Sequence, residues 1–221
     1  MAQKKIETEQ GKIVDLTTVT VRVQLRGTRP ILLHNGQLAD PLNEIVQRKK
    51  EITAKKKQAR DGVASEEALA RLEFEGGLYV DDDGDVYIPG ENIAACIRSG
   101  GTLRKKGTAL SRAVRCFDDP KLQYPGIEQH RGAEVLLANY QQYSLRKRIV
   151  NSGPGKTATM RTRPMFKTGW TISFDLTVIL GADVDLSDVK SALEVAGSLY
   201  GLGDWNGRYG LFEVEKFSEV V

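Results

Sequence analysis

The sequence predicts an α+β fold in which an antiparallel sheet carries helices on one face and accepts an inserted basic β-hairpin, and three observations carry that prediction. Val19, Val21, Val23 and Leu25 alternate with Thr18, Thr20, Arg22 and Gln24, the period-two pattern of a strand buried on one face. Ile172, Phe174, Leu176, Val178 and Leu180 repeat it, followed by a helical stripe (Val189, Leu193, Ala196, Leu199) and a last strand over residues 212–217. Helical and basic segments lie between, so the order reads β-α-β…β-α-β, the ferredoxin-like arrangement. We expect a single domain over residues 1–221, with a basic insertion over 92–167 made of a helical segment and a hairpin thumb.

Taken in order, residues 1–16 read as a lead-in. The first strand breaks at Gly27 and Pro30 and resumes at Ile31-Leu32-Leu33-His34. Asp40 is the expected cap, and Pro41 the first position, of a largely exposed helix with a basic far end. A second helix starts at Ser65 and ends near Gly76-Gly77. An acidic turn, residues 81–85, then joins two short strands. Pro89-Gly90-Glu91-Asn92 leads a helix with Ile93, Ala94 and Ile97 inward, and residues 102–115 continue as a basic helical or irregular segment. Residues 117–131 read as loop and 135–143 as extended. Residues 143–166 form a basic hairpin around a glycine-rich tip, in which Arg146, Arg148, Arg161 and Arg163 alternate. Ser187 is the expected cap of the last helix.

Charge is segregated along the chain. The net charge is only +3, yet residues 92–117 hold six basic residues and no acid, and residues 135–174 hold seven and no acid. Such segregation is the footprint of a face that meets a polyanion; its plain alternative is a solvated basic face. With 28% charged residues and no apolar run near the ~20 residues of a spanning helix, an integral helical membrane protein is excluded. Residues 1–9 lack the apolar core of a signal peptide. Cys96 and Cys116 fit neither a disulfide framework nor a zinc site. A cytoplasmic setting without cofactor or metal is expected.

Five glycines fall between residues 197 and 210, with Trp205, Arg208 and Tyr209 among them. Glycine permits positive φ and close approach of another backbone. The stretch is therefore either a helix cap running into a strand or a platform on which something lies. Two decoys fail. The acidic turn has Val86 and Asn92 where a calcium-binding loop needs glycine and glutamate. Gly155-Lys156-Thr157 lacks the earlier glycine of a phosphate-binding loop, because position 150 is Val150.

The segment Gly201-Leu202-Gly203-Asp204-Trp205, with Arg208-Tyr209-Gly210-Leu211-Phe212-Glu213-Val214, resembles the C-terminal glycine-rich loop of the RAMP superfamily, ferredoxin-like RNA-binding proteins of CRISPR effector complexes. The segment Tyr87-Ile88-Pro89-Gly90-Glu91-Asn92-Ile93, with Ile97-Arg98, is similar to a strand, Ile-Pro-Gly, helix, Arg signature of the Cas7-like backbone subunits. The whole chain also resembles a class of small proteins encoded by bacteriophages and prophages. The resemblance implies a protein that coats single-stranded DNA or RNA, as an oligomer or filament, in phage replication or recombination or in a CRISPR-like complex. Arg98, Arg104, Lys105, Lys106, Arg146, Arg148, Lys156, Arg161, Arg163 and Arg208 are then expected at phosphates, and Tyr143, Trp205 and Tyr209 at bases. Two alternatives stand beside it. One is a metal-independent endoribonuclease using His34 or Asp40, against which Asp40 reads as a helix cap. The other is a phage counter-defence protein that binds a small molecule or a protein.

Overall fold

The computed structural model describes residues 2–7, 13–58, 62–149, 159–181 and 183–220. In chain order the elements are β1 (Ala2–Glu7), β2 (Ile13–Gly27), β3 (Ile31–Leu32), α1 (Glu44–Gln58), α2 (Gly62–Gly77), α3 (Gly90–Gly101), α4 (Gly107–Ala113), β4 (Val114–Arg115), α5 (Ala133–Ala138), β5 (Ser144–Ile149), β6 (Thr159–Phe166), β7 (Thr171–Leu180), α6 (Leu186–Val195) and β8 (Phe212–Glu219). They fall into two compact units: Met1–Ile31, Tyr87–Pro125 and Lys167–Val221 in the first, Leu32–Val86 and Gly126–Phe166 in the second. The insertion expected over 92–167 is thus divided between them. Its helical part lies in the first unit and its hairpin in the second, with α1 and α2.

The first unit is organised on β2. One edge of β2 pairs with β7 and the other with β1 and β8, while β4 pairs with the far edge of β7, all antiparallel. Leaving β1 aside, the strands lie in the order β8-β2-β7-β4. With α3 after β2 and α6 after β7, this is the β-α-β-β-α-β ferredoxin-like fold, its first and third strands central. The alternation read in the sequence explains the sheet. Val21 faces Leu176, Val23 faces Phe174 and Leu25 faces Ile172, all buried. Each such side chain contributes roughly 1.5–3 kcal/mol on burial. Ile93 and Ile97 of α3 and Val189 and Leu193 of α6 add to this core, and the two helices pack on each other. On the opposite face Arg22 pairs with Asp175, and Arg26 with Glu215. The guanidinium of Arg22 donates to the Asp175 carboxyl and holds it below the usual range.

Several local expectations change. The lead-in contributes β1 and the start of β2. The cap of α6 is Asp185, not Ser187: its carboxylate accepts from the Asp188 amide at 2.8 Å in a capping box, and the Ser187 hydroxyl donates to it at 2.7 Å.

The second unit pairs β5 with β6 as a two-stranded ribbon. α2 packs on β6 and on α1. Phe74, Leu136, Tyr140, Tyr143 and Phe166 are buried in this unit. Helix α1 begins at Glu44, with Asn43 accepting from the Ile45 amide at 2.9 Å, whereas Asp40 accepts from Leu42 in a separate turn. The helix start expected at Asp40-Pro41 therefore moves on. Residues 133–138 are helical rather than extended, because a short helix buries Leu136 while leaving Glu134 and Val135 in solvent. In the acidic turn, Asp81 accepts from the amides of Asp83 and Asp85, and Arg131 holds Asp85 by two hydrogen bonds of 2.9 and 2.6 Å. The glycine-rich hairpin tip, residues 151–157, lies outside the described residues.

Candidate functional site

The glycine-rich stretch closes the first unit. α6 ends in a π-turn, Ala196–Tyr200, completed by the Gly201 amide donating to the Ala196 carbonyl at 2.8 Å. The returning chain then crosses its own start. The Leu202 amide donates to the Gly210 carbonyl at 2.9 Å, the Gly207 amide to the Tyr200 carbonyl at 2.6 Å, and the Gly210 amide to the Pro30 carbonyl at 2.8 Å. The crossing requires glycine at Gly210, where φ is +70° and a Cβ would lie 1.7 Å from the Leu202 carbonyl oxygen. The stretch thus ends a helix and runs into a strand through a loop tied to itself by backbone hydrogen bonds.

That tip carries Trp205 in the left-handed region, at φ 53°. A bulky residue is uncommon there and costs about 1–2 kcal/mol. The Trp205 carbonyl accepts from the amides of Arg208 and Tyr209, at 3.4 and 3.3 Å, which holds the strained turn. The Trp205 and Tyr209 rings are 6.1 Å apart and tilted by 52°, and the Arg208 guanidinium lies 5.8 Å from the Tyr209 ring centre. Arg208 is exposed, and Trp205 and Tyr209 are half-buried. Two flat rings and one guanidinium are thereby presented on a fixed turn.

The end of α3 supports the loop. The Cys96 thiol donates to the Gly201 carbonyl at 3.4 Å, and the hydroxyls of Thr102 and Tyr200 are 3.1 Å apart. The Thr102 contact sets the turn bearing Arg104 and Lys105 beside the start of the loop. Arg98, Arg104 and Lys105 are exposed, and Lys105 has φ 57°. Lys106 differs: its ammonium donates to Asp188 at 2.5 Å and to the Asp183 carbonyl at 3.2 Å. The phosphate role expected of it gives way to a bond that ties α4 to the start of α6.

The hairpin residues are in the second unit. Direct partners across an antiparallel pair share a face. Arg146 faces Thr162 and Lys147 faces Arg161, so Arg146 and Arg148 lie on one ribbon face and Arg161 and Arg163 on the other. Arg146 is exposed. Arg161 donates to Glu73 at 3.2 Å, and Arg163 is only 8% exposed. Tyr143 is 4% exposed; its hydroxyl is 2.8 Å from Nδ1 of His130 and its ring packs on Phe166. Burial pushes the Tyr143 phenol up. It is a core ring, and the stacking role expected of it is corrected, as is the phosphate role of Arg163. The Arg148 side chain and Lys156 lie outside what is described. His34 is exposed, with its carbonyl accepting the Tyr79 hydroxyl at 3.0 Å, and Asp40 is bonded to Leu42 as above.

Sequence reasoning passed over Glu73. It stands four residues after Leu69 on α2, a carboxylate on an apolar stripe, and is 7% exposed. It gathers Lys49, Arg161 and the Thr162 amide. Among the described residues no helix is long and apolar enough to cross a membrane, and no cluster of His, Cys, Asp or Glu is placed to hold a metal ion.

No family model matches the chain. No curated protein matches it either. Among solved structures it is similar to a chain of the cryo-EM structure of the Type III-B Cmr-beta bound to cognate target RNA, at 12% identity and a TM-score of 0.49, over 92% of this chain and 61% of that one. This chain therefore spans about three fifths of that chain's length. The ferredoxin-like assignment rests on the strand order of the first unit and not on this likeness.

Proposed function

We propose that the protein binds single-stranded nucleic acid, with the tip of the glycine-rich loop and the end of α3 as its contact surface. The observation that carries the reading is Trp205 held at positive φ beside Tyr209 and Arg208. The positive φ turns the half-buried Trp205 ring toward Tyr209 on the loop tip, and its accessible part is offered to a base. Stacking contributes about 1–3 kcal/mol per base. Arg98, Arg104, Lys105 and Arg208 supply positive charge for the strand backbone, and Arg146 and Lys147 supply it in the second unit. The open face of the sheet does not serve in this reading: Arg22 and Arg26 are neutralised there, and the alternating positions of β2 and β7 place Thr, Gln, Ser and Asp rather than aromatic rings on it.

The protein is read as a binding protein and not as an enzyme, a member of the RAMP type that coats a strand as repeated copies. Fluorescence anisotropy with labelled poly-dT and poly-U of several lengths, across a salt series, tests this. Length-dependent binding with a steep salt slope supports it, since neutralised phosphates release counterions. Preference for poly-dT fits phage replication or recombination, and preference for poly-U a CRISPR-like complex. No binding at low salt sinks the reading.

A further inference from the structure

The turn that follows β2, Thr28-Arg29-Pro30, is bound to the exit of the glycine-rich loop. Proline has no N–H to give a ladder, so the chain leaves the sheet here. The amides of Thr28 and Arg29 both donate to the Leu211 carbonyl, at 2.8 and 3.2 Å, and the Pro30 carbonyl accepts from the Gly210 amide at 2.8 Å. Trp170 holds the turn from its other side. Its carbonyl accepts from the Gly27 amide at 2.8 Å, and its buried indole N–H donates to the Arg29 carbonyl at 2.9 Å. Gly27 admits that ring, since a Cβ there would lie 2.0 Å from the indole nitrogen. Both backbone groups of Arg29 are thereby used, on a turn fastened to the loop.

The Arg29 side chain is the second observation. Arg22 and Arg26, the arginines of β2 itself, are each paired with an acid. Arg29 is exposed and makes no ion pair among the described residues, although Glu213 stands opposite Arg26 in the register. An exposed arginine alone is an ordinary solvated charge. This one stands on fixed backbone beside the loop tip: its partner Leu211 is two residues beyond Tyr209, at most about 7 Å along the chain. Arg208 directly precedes Tyr209, is exposed and likewise pairs with no acid among the described residues. Two uncommitted guanidiniums therefore bracket one half-buried ring.

We propose that Arg29 is a phosphate contact of the strand-binding surface, and that Arg29 and Arg208 hold the phosphates on either side of a base stacked on Tyr209. The inference rests on the strand-binding reading and adds to it a residue outside both acid-free windows. A guanidinium meets a phosphate through two parallel N–H donors, which an ammonium cannot reproduce. With the backbone of the turn already fixed, only the side chain has to be ordered on binding.

Fluorescence anisotropy on the full chain, with labelled dT and U oligomers of about 15 nucleotides across a salt series, tests it. Arg29→Ala should weaken binding about tenfold at low salt and lower the salt slope by about one, with its urea unfolding midpoint equal to that of wild type. Arg29→Lys should keep the slope and bind less tightly than wild type. Arg26→Ala, which removes a cation already paired with Glu215, should keep the slope. The double variant Arg29→Ala, Arg208→Ala should lower it by about two. An oligomer of the same sequence with uncharged methylphosphonate linkages should bind wild type and Arg29→Ala alike. An unchanged slope in Arg29→Ala beside a lowered one in Arg208→Ala overturns the proposal and leaves the strand-binding reading standing. An equal fall in Arg26→Ala, or a fall of only one in the double variant, also overturns it. No binding by wild type at low salt removes both.

Discussion

The two acid-free windows of the sequence look alike and fold into opposite uses of charge. In the first, residues 92–117, Arg98, Arg104 and Lys105 end exposed around the end of α3, and Lys106 is taken up by Asp188. In the second, residues 135–174, Arg163 is buried and Arg161 is bound to Glu73, while Arg146 and Lys147 stay in solvent. A basic run reports where acids are absent along the chain. It does not report which acids the fold brings from far away: Asp188 reaches Lys106 across 82 positions, and Glu73 reaches Arg161 across 88.

Substitutions can sharpen that contrast. The largest effect is expected at Gly210, whose replacement by alanine combines left-handed strain with collision against Leu202. Urea unfolding should show a loss of about 4 kcal/mol, the sum of backbone strain and overpacking. Glu73→Ala comes next. It strands two cations and a buried amide, and should cost about 2–3 kcal/mol in the same measurement. If it costs nothing, the second window's charges are not structural.

The first window should respond the other way. Arg98→Ala, Arg104→Ala and Lys105→Ala together should leave the unfolding midpoint within about 0.5 kcal/mol of wild type, yet lower the salt slope of oligonucleotide binding by about one for each cation that meets a phosphate. A shifted midpoint with an unchanged slope would erase the distinction between the windows. The smallest effect is chemical. Burial pushes both Cys96 and Cys116 up to about 12, so at pH 8 only about one thiol in ten thousand is ionised. Ellman's reagent should react slowly with the folded protein and rapidly in urea. Because the folded values lie above the usual one, reactivity should rise as pH climbs toward 12.

How much was legible follows the same division. Strands β2 and β7 were readable because each buries one face, and an alternating strand announces that locally. The glycine-rich stretch was readable as a turn because glycine is the residue that tolerates Gly210's crossing. Trp205 at positive φ was not, since nothing in its own type asks for that conformation. Tyr143 was misread because an aromatic beside a basic run looks the same whether His130 and Phe166 cover it or solvent does. The cap of α1 was misplaced because Asp40 and Asn43 both make side-chain turns with following amides, and tertiary packing decides which one continues. The cluster around Glu73 draws on α1, α2 and β6 and had no local sign beyond one carboxylate on an apolar stripe.

The central claim, that Trp205 is placed to stack on bases, can be read from the protein's own fluorescence. The chain has two tryptophans, and Trp170 is 0% exposed, packed on Phe212 with its indole N–H donating to the Arg29 carbonyl at 2.9 Å. Trp170 is therefore an internal reference. Titration with poly-dT or poly-U should quench part of the emission of the wild type and leave Trp205→Phe unchanged. Binding seen by anisotropy with no quenching, or with equal quenching in Trp205→Phe, would contradict the account.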